Sequence, residues 1–294
     1  MKNSTRHYIR LLAIPLFFLL PSCDLINPDE DAPGYLEIKS FSFDPLPGAQ
    51  EFGPSTSTKI KDAWVYIDGK FHGTYELPAR FPILETGSRE FLVLPGILLN
   101  GIAGTRSPYP FYKGSEHAIS IPPNGSVTID PSTEYFDLAE CTYCESFEGS
   151  GFSLSPTAQS DTMMYLLPPS DPNVFEGAGS GAAYLTKENS IFEVASTTTF
   201  TPPGSSQPVY LELDYKINQE MKVGLVVIRS GETDLQVPIL TLRANEEWNK
   251  VYVQLGYTVS SYPNATFKFF VGALKSPETV KSEFFIDNIK VVNF

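Results

Sequence analysis

Ala63-Trp64-Val65-Tyr66-Ile67-Asp68-Gly69-Lys70-Phe71 alternates side chains that prefer strands and then runs into Asp-Gly. Alternation places every second residue on one face of a sheet, and Asp-Gly between two such runs is the strongest short-range hairpin signal. Working outward, Gly73-Thr74 and Leu77-Pro78 supply turn chemistry, and past Gly87 comes the strand Glu90-Phe91-Leu92-Val93-Leu94-Pro95-Gly96. Towards the C-terminus, strand-like runs recur over 163–167, 182–186, 191–195, 209–217, 222–228, 235–242, 248–255, 266–272 and 283–292, separated by turns such as Pro202-Pro203-Gly204-Ser205. No stretch beyond the first twenty or so residues carries apolar side chains at helical spacing. With 15 Tyr and 21 Phe among 25 Pro and 21 Gly, the composition agrees with an all-β chain. The expected architecture is two antiparallel β-sandwich domains, residues 34–137 and 138–294. Nine or ten strands in the second imply two packed sheets, a jelly roll or a close relative.

The N-terminus reads as an address. Lys2, Arg6 and Arg10 precede an apolar run from Leu11 to Leu20, about half the length needed to cross a bilayer. Such a run ends at a cleavage site. Leu20-Pro21-Ser22-Cys23 resembles the lipobox of bacterial lipoproteins, although Pro21 is an unusual occupant of the box. The resemblance implies a signal peptide over 1–22 and lipidation at Cys23, the first residue of the mature chain. Asp24, Asp29, Glu30 and Asp31, interrupted by Pro28 and Pro33, form an acidic tether over 23–33 that lacks the apolar surface to fold. Acidic residues in this place resemble the export signal of Bacteroidetes-type surface lipoproteins. They imply an outer-membrane protein, lipid-anchored and facing the cell exterior.

The chain has 21 basic and 34 acidic residues, a net charge of −13. Removing 1–22 takes away three bases and no acids, leaving 18 minus 34, or −16. Such a surface repels phosphate backbones and anionic headgroups, which argues against nucleic acid as a partner. Beyond residue 22 the only histidines are His72 and His117, with neither Gly-x-Ser-x-Gly nor His-Glu-x-x-His. Triad and zinc chemistry therefore lack their parts, and no catalytic residue is assigned. Cys141-Thr142-Tyr143-Cys144 has no second half of a zinc site, and no helix pattern follows it. In an oxidising envelope a local disulfide is the expected state.

Val65-Tyr66-Ile67-Asp68-Gly69, then Gly73-Thr74, then Gly87 before a strand resembles PEGA-type extracellular β modules. In the second domain Glu145-Ser146-Phe147-Glu148-Gly149, Glu246-Glu247-Trp248-Asn249-Lys250-Val251-Tyr252-Val253 and Phe285-Ile286-Asp287-Asn288-Ile289-Lys290-Val291 together resemble jelly-roll carbohydrate-binding modules. This second resemblance implies a non-catalytic protein that binds a glycan or another envelope component. It also implies a structural calcium ion between Glu148 of the first strand and Asp287 of the last. Flat exposed rings recognise sugars, and Tyr257, Tyr262 and Tyr165 are the candidate ligand-binding residues, whereas Trp248, at the head of a strand, is expected to pack. An alternative reading makes the protein a structural adaptor. There Arg106, Tyr109, Phe111 and Tyr112 dock a protein of the outer-membrane machinery, because Arg and Tyr are favoured interface anchors. Against it stands the simpler reading in which these rings cover the edge of the first sandwich and Arg106 pairs with an acid.

Overall fold

The computed structural model describes residues 32–44, 52–85, 87–202, 207–277 and 280–294. The signal peptide, Cys23 and the acidic residues of the tether lie outside them. The protein is all-β, with one short helix among the described residues, Gly256–Ser261. No helix among the described residues is long and apolar enough to cross a membrane.

The N-terminal half contributes β1 (Gly34–Ile38), β2 (Ser42–Phe43), β3 (Asp62–Ile67), β4 (Lys70–Glu76), β5 (Ala79–Ile83), β6 (Ser88–Leu98), β7 (Arg106–Pro108), β8 (Ser115–Ser120), β9 (Ser126–Ile129) and β10 (Ser132–Thr133). One sheet has the order β4-β3-β6-β7 with β8 also on β6, a second is β5-β1-β9, and β10 pairs β2. Asp68 and Gly69 both take positive φ, 48° and 76°, as a two-residue turn between twisted strands requires. Leu36, Ile38, Val65, Ile67, Phe81 and Val93 fill the space between the sheets. The half is not wholly antiparallel: β1 pairs β9, and β10 pairs β2, in parallel. The chain between β1 and β9 is long enough for the crossover that parallel pairing needs.

The C-terminal half contributes β11 (Glu140–Glu145), β12 (Leu154–Pro156), β13 (Tyr165–Leu166), β14 (Gly181–Leu185), β15 (Ile191–Ser196), β16 (Val209–Ile217), β17 (Met221–Ile228), β18 (Leu235–Leu242), β19 (Asn245–Gln254), β20 (Thr266–Leu274) and β21 (Ser282–Asn293). They form a jelly-roll sandwich: a six-stranded sheet β13-β14-β21-β16-β19 with β11 on β21, facing a five-stranded sheet β12-β15-β20-β17-β18. Every second residue of the long strands, among them Leu211, Leu213, Val223, Leu225, Val251, Val253, Phe267 and Phe269, points into the shared core.

The two halves are packed into one another. The outer face of the six-stranded sheet presents Tyr210, Tyr252 and Val292, which share a buried cluster with Phe52, Ile97, Tyr109, Phe111, Tyr112 and Tyr135 of the N-terminal half. Backbone bonds cross the seam as well: Asn100 donates to the Tyr252 carbonyl at 2.9 Å, and the Gln254 N–H donates to Asn100 Oδ1 at 2.9 Å. At its centre Glu212, fully buried, accepts the hydroxyls of Tyr109 at 2.6 Å and Tyr135 at 2.9 Å. Its other oxygen lies 3.2 Å from Lys250 Nζ, and Asp214 lies 3.6 Å from the same nitrogen. Burial works against charge on Lys250, but the two carboxylates outweigh it and hold the pKa above its ordinary value. Removing one partner of such a group strands the other. A Glu212→Ala substitution is therefore expected to cost about 3–5 kcal/mol of stability, read as a fall in the denaturant midpoint. An unchanged midpoint would show that the seam charges do not hold the halves together.

Candidate functional site

One outer face of the jelly roll is covered by the seam, and the other carries a cleft. It opens on the five-stranded sheet, has a volume of about 800 Å³, and is bordered by Glu193, Lys222, Gln236, Thr241, Arg243 and Phe270 among others. This lies within the size range of ligand clefts, roughly 300–1,000 Å³. The strand registers explain the depression. Glu193 on β15 stands opposite Gly272 on β20, Gly272 opposite Lys222 on β17, and Lys222 opposite Thr241 on β18. In the next outward row Ala195, Phe270, Gly224 and Pro238 follow one another in the same way. Glycine thus occupies an outward position on each central strand, and of the two Gly272 borders the cleft. At Gly224 the space is already taken by the Phe270 ring, since a Cβ there would come within 2.7 Å of it. Phe270 is 2 % exposed although it points away from the main core, and it packs with Ala195 and Val226 in a small cluster of its own.

The polar groups are held in place. Glu193 Oε1 accepts hydrogen bonds from Thr157 Oγ1 at 2.5 Å and Gln236 Nε2 at 2.7 Å. At the far end Gln219 donates to the Leu274 carbonyl at 2.7 Å, accepts from the Ser276 N–H at 2.9 Å and also bonds the Ser282 hydroxyl. Lys222, Thr241 and Arg243 are exposed on the rim. A cleft with a few oriented amide and carboxylate groups can seat a polyhydroxylated ligand, whose rim is hydrogen-bonding.

The tyrosines singled out in the sequence do not line this cleft. Tyr165 is exposed on β13 at the edge of the other sheet, and Tyr257 is exposed on the short helix. Tyr262 packs against the main core with the Arg229 guanidinium 5.7 Å from its ring centroid, so it is a packing residue and not a free stacking platform. Trp248 packs with Phe175 at 4.9 Å on the outer side of the six-stranded sheet.

The docking surface expected at 106–112 is also corrected. Tyr109, Phe111 and Tyr112 are 2 %, 0 % and 2 % exposed, enclosed in the seam, where Tyr112 also meets the Tyr252 hydroxyl at 3.3 Å. Arg106 pairs with the buried Asp62 and with Glu76 at 2.9 Å. These four side chains are occupied within the chain.

Cys141 and Cys144 are joined by a disulfide, Cα to Cα 5.9 Å, at the start of the C-terminal half. Glu148 and Asp287 fasten one loop, 176–180: Glu148 accepts the Ala178 N–H at 2.7 Å and Asp287 the Ser180 hydroxyl at 2.5 Å. Burial drives the Asp287 pKa up to about 7, against its hydrogen bonds from Ser180 and Asn288. Among the described residues no group of three or more His, Cys, Asp or Glu side chains is placed to share a metal ion.

No protein-family model matches the chain, and no curated protein matches it. Among solved structures it is similar to the C-terminal family 22 carbohydrate binding module of Clostridium thermocellum Xyn10B, at 14% identity and TM-score 0.35 over 52% of this chain and 91% of that one. The family 11 module from Clostridium thermocellum, in complex with a β-1,3-1,4-mixed-linked tetrasaccharide, gives 11% identity and TM-score 0.35 over 50% and 94%. The enzymatically active domain of bacteriophage CBA120 tailspike protein 4 gives 12% and 0.38 over 57% of this chain and 25% of that one. At identities and scores this low the likeness assigns no ligand to this chain.

Lys290 gives the seam a pH signature. It is 3 % exposed, and burial together with the nearby Lys250 lowers its pKa to about 8, against the pull of Glu212, Asp214 and Glu176. Between that value and the ordinary lysine value near 10.4 the native state binds fewer protons than the unfolded chain, so this residue's contribution to stability rises with pH across that window. The stability of wild type minus that of Lys290→Met is expected to increase from about pH 8 to about pH 10, measured by denaturant titration; a flat difference would contradict the assignment.

Proposed function

We propose that the protein is a non-catalytic glycan-binding lipoprotein of the cell surface, and that the cleft on the five-stranded sheet is where the glycan sits. The observation that carries this reading is the cleft itself, which lies open at Gly272 between Glu193 and Lys222 on the outward face of the central strands. The amide, carboxylate and cationic groups around the cleft suit a sugar better than an apolar ligand, which would take the water from Lys222 and give it no partner. The test uses xylan, mannan, galactan and mixed-linkage β-glucan as probes in affinity electrophoresis and calorimetry. Thr241→Trp, at an exposed rim position, should weaken binding at least about tenfold, or 1.4 kcal/mol, without moving the melting temperature. Binding unaffected by the tryptophan would place the ligand elsewhere.

A structural calcium ion belongs to the same reading. Glu148, three residues past the first strand of the jelly roll, and Asp287 of the last strand converge on one loop, whose carbonyls are the remaining donors for a cation that wants six to eight oxygens. A ligand bound only by the native state raises its stability by mass action, so the full chain should melt higher in calcium than in chelator. Coincident curves would remove the ion. Membrane attachment is assigned to Cys23. A Cys23→Ala protein should leave the detergent phase that the wild type enters; retention there would refute lipid anchoring at this residue.

A further inference from the structure

The cleft has a built stop. In the five-stranded sheet the order is β15-β20-β17-β18, so Glu193 on β15 and Gln236 on β18 are separated by both central strands. Their 2.7 Å hydrogen bond must therefore cross the outward face of β20 and β17. It does so at one end of the groove, beside Phe270. The bond runs obliquely, because Glu193 shares its register row with Gly272 and Lys222 whereas Gln236 stands opposite Val226, two rows further along the strands. The cleft is bordered by Ile191, Gly272, Leu274, Lys222, the turn at 218–220 and Arg243, and reaches Phe270 and Pro238 at the bond, whereas Ala195, Val226 and Lys268 do not border it.

The bar is also braced. Glu193 is 9 % exposed, and the same oxygen that accepts Gln236 accepts the Thr157 hydroxyl at 2.5 Å, while its own N–H is held by Ser160 Oγ at 2.9 Å. Hydrogen bonds to a charged acceptor are the stronger kind and hold their geometry. Beneath it, Phe270 is nearly inaccessible in spite of facing outward. A continuous polysaccharide laid along the groove would have to break the bar or climb over it, whereas a chain that ends at the bar meets the Glu193 carboxylate with its terminal hydroxyls.

We propose that the Glu193–Gln236 hydrogen bond makes the cleft blind at one end, so that the protein recognises the end of a saccharide chain and not an internal stretch. The inference rests on the glycan reading above and specifies its ligand class. It predicts that binding sites count chain ends, and that Gln236 sets this preference.

The experiment titrates the full-length protein against one polysaccharide that binds it, from xylan, mannan, galactan and mixed-linkage β-glucan, before and after partial hydrolysis at constant mass. For wild type, sites per gram should rise in proportion to the new chain ends. For Gln236→Ala, with an unchanged melting temperature, sites per gram should be independent of hydrolysis, because the groove then runs through. If wild-type sites per gram do not change on hydrolysis, end recognition is overturned while glycan binding stands. If both proteins count ends, the stop is not this hydrogen bond, and the inference is wrong in its mechanism. Should none of the four polymers bind the wild type, the glycan reading fails and takes the inference with it.

Discussion

Glu212 sits where two tyrosine hydroxyls, a lysine and two sheets meet, and the arrangement of the molecule follows from keeping that carboxylate satisfied. Its strand, β16, is buried on both sides: Leu211 and Leu213 face the jelly-roll core, while Tyr210, Glu212 and Asp214 face the N-terminal half. A carboxylate removed from water is tolerable only when it is hydrogen-bonded or paired with a cation; Tyr109 and Tyr135 both donate to one oxygen of Glu212, and the other faces the Lys250 ammonium. Asp214 is held in the same way by the Ser57 hydroxyl at 2.8 Å and by the Asn288 amide at 3.1 Å. Each of these partners comes from a separate segment, so the polar groups fix one register between the halves where apolar packing alone would allow several.

That constraint decides where a ligand can bind. A jelly roll has two outer faces, and here the six-stranded one is committed to the seam. The five-stranded sheet keeps its outer face free, and on it lie Gly224, Gly272 and the cleft. Glycine inside a strand weakens it by removing a side chain that would pack, so its presence on two adjacent central strands calls for a local reason. At Gly224 the reason is the Phe270 ring and the Val237 carbonyl, which a Cβ would approach to 2.7 Å and 2.4 Å. The fold thus gives up strand propensity at Gly224 to make room for the Phe270 ring.

Much of the fold was legible because alternation survives in the long strands. Residues 209–217 and 235–242 are read from the sequence with the ends they have in the structure. The site was not legible, for two physical reasons. A groove opened by a missing side chain leaves only a glycine as its trace, Gly272 within Thr266–Leu274, and single glycines in strands have several causes. The tyrosines chosen instead were judged by ring chemistry, yet whether a ring is free depends on tertiary neighbours, and Tyr262 is taken by the core. In the same way Glu212 and Asp214 alternate with Leu211, Leu213 and Tyr215 as a solvent-facing set would, and nothing local announces that another half of the chain covers them.

The segment at 106–112 shows why composition cannot separate an outer interface from an inner one. Tyr, Phe and Arg are enriched wherever two preformed surfaces meet, because they bury large area while keeping a polar group that can be oriented. That physics is the same whether the second surface belongs to another protein or to a later part of the same chain. What distinguishes the cases is the partner of the polar group. A tyrosine held for an external partner leaves its hydroxyl to water until that partner arrives, whereas the hydroxyls of Tyr109 and Tyr135 both end on Glu212. Arg106 likewise ends on Asp62, whose carboxylate is fully buried and whose pKa burial raises in spite of that pairing. An aromatic run rich in interface residues is therefore read correctly only together with the buried acids elsewhere in the chain that its hydroxyls and guanidinium must meet.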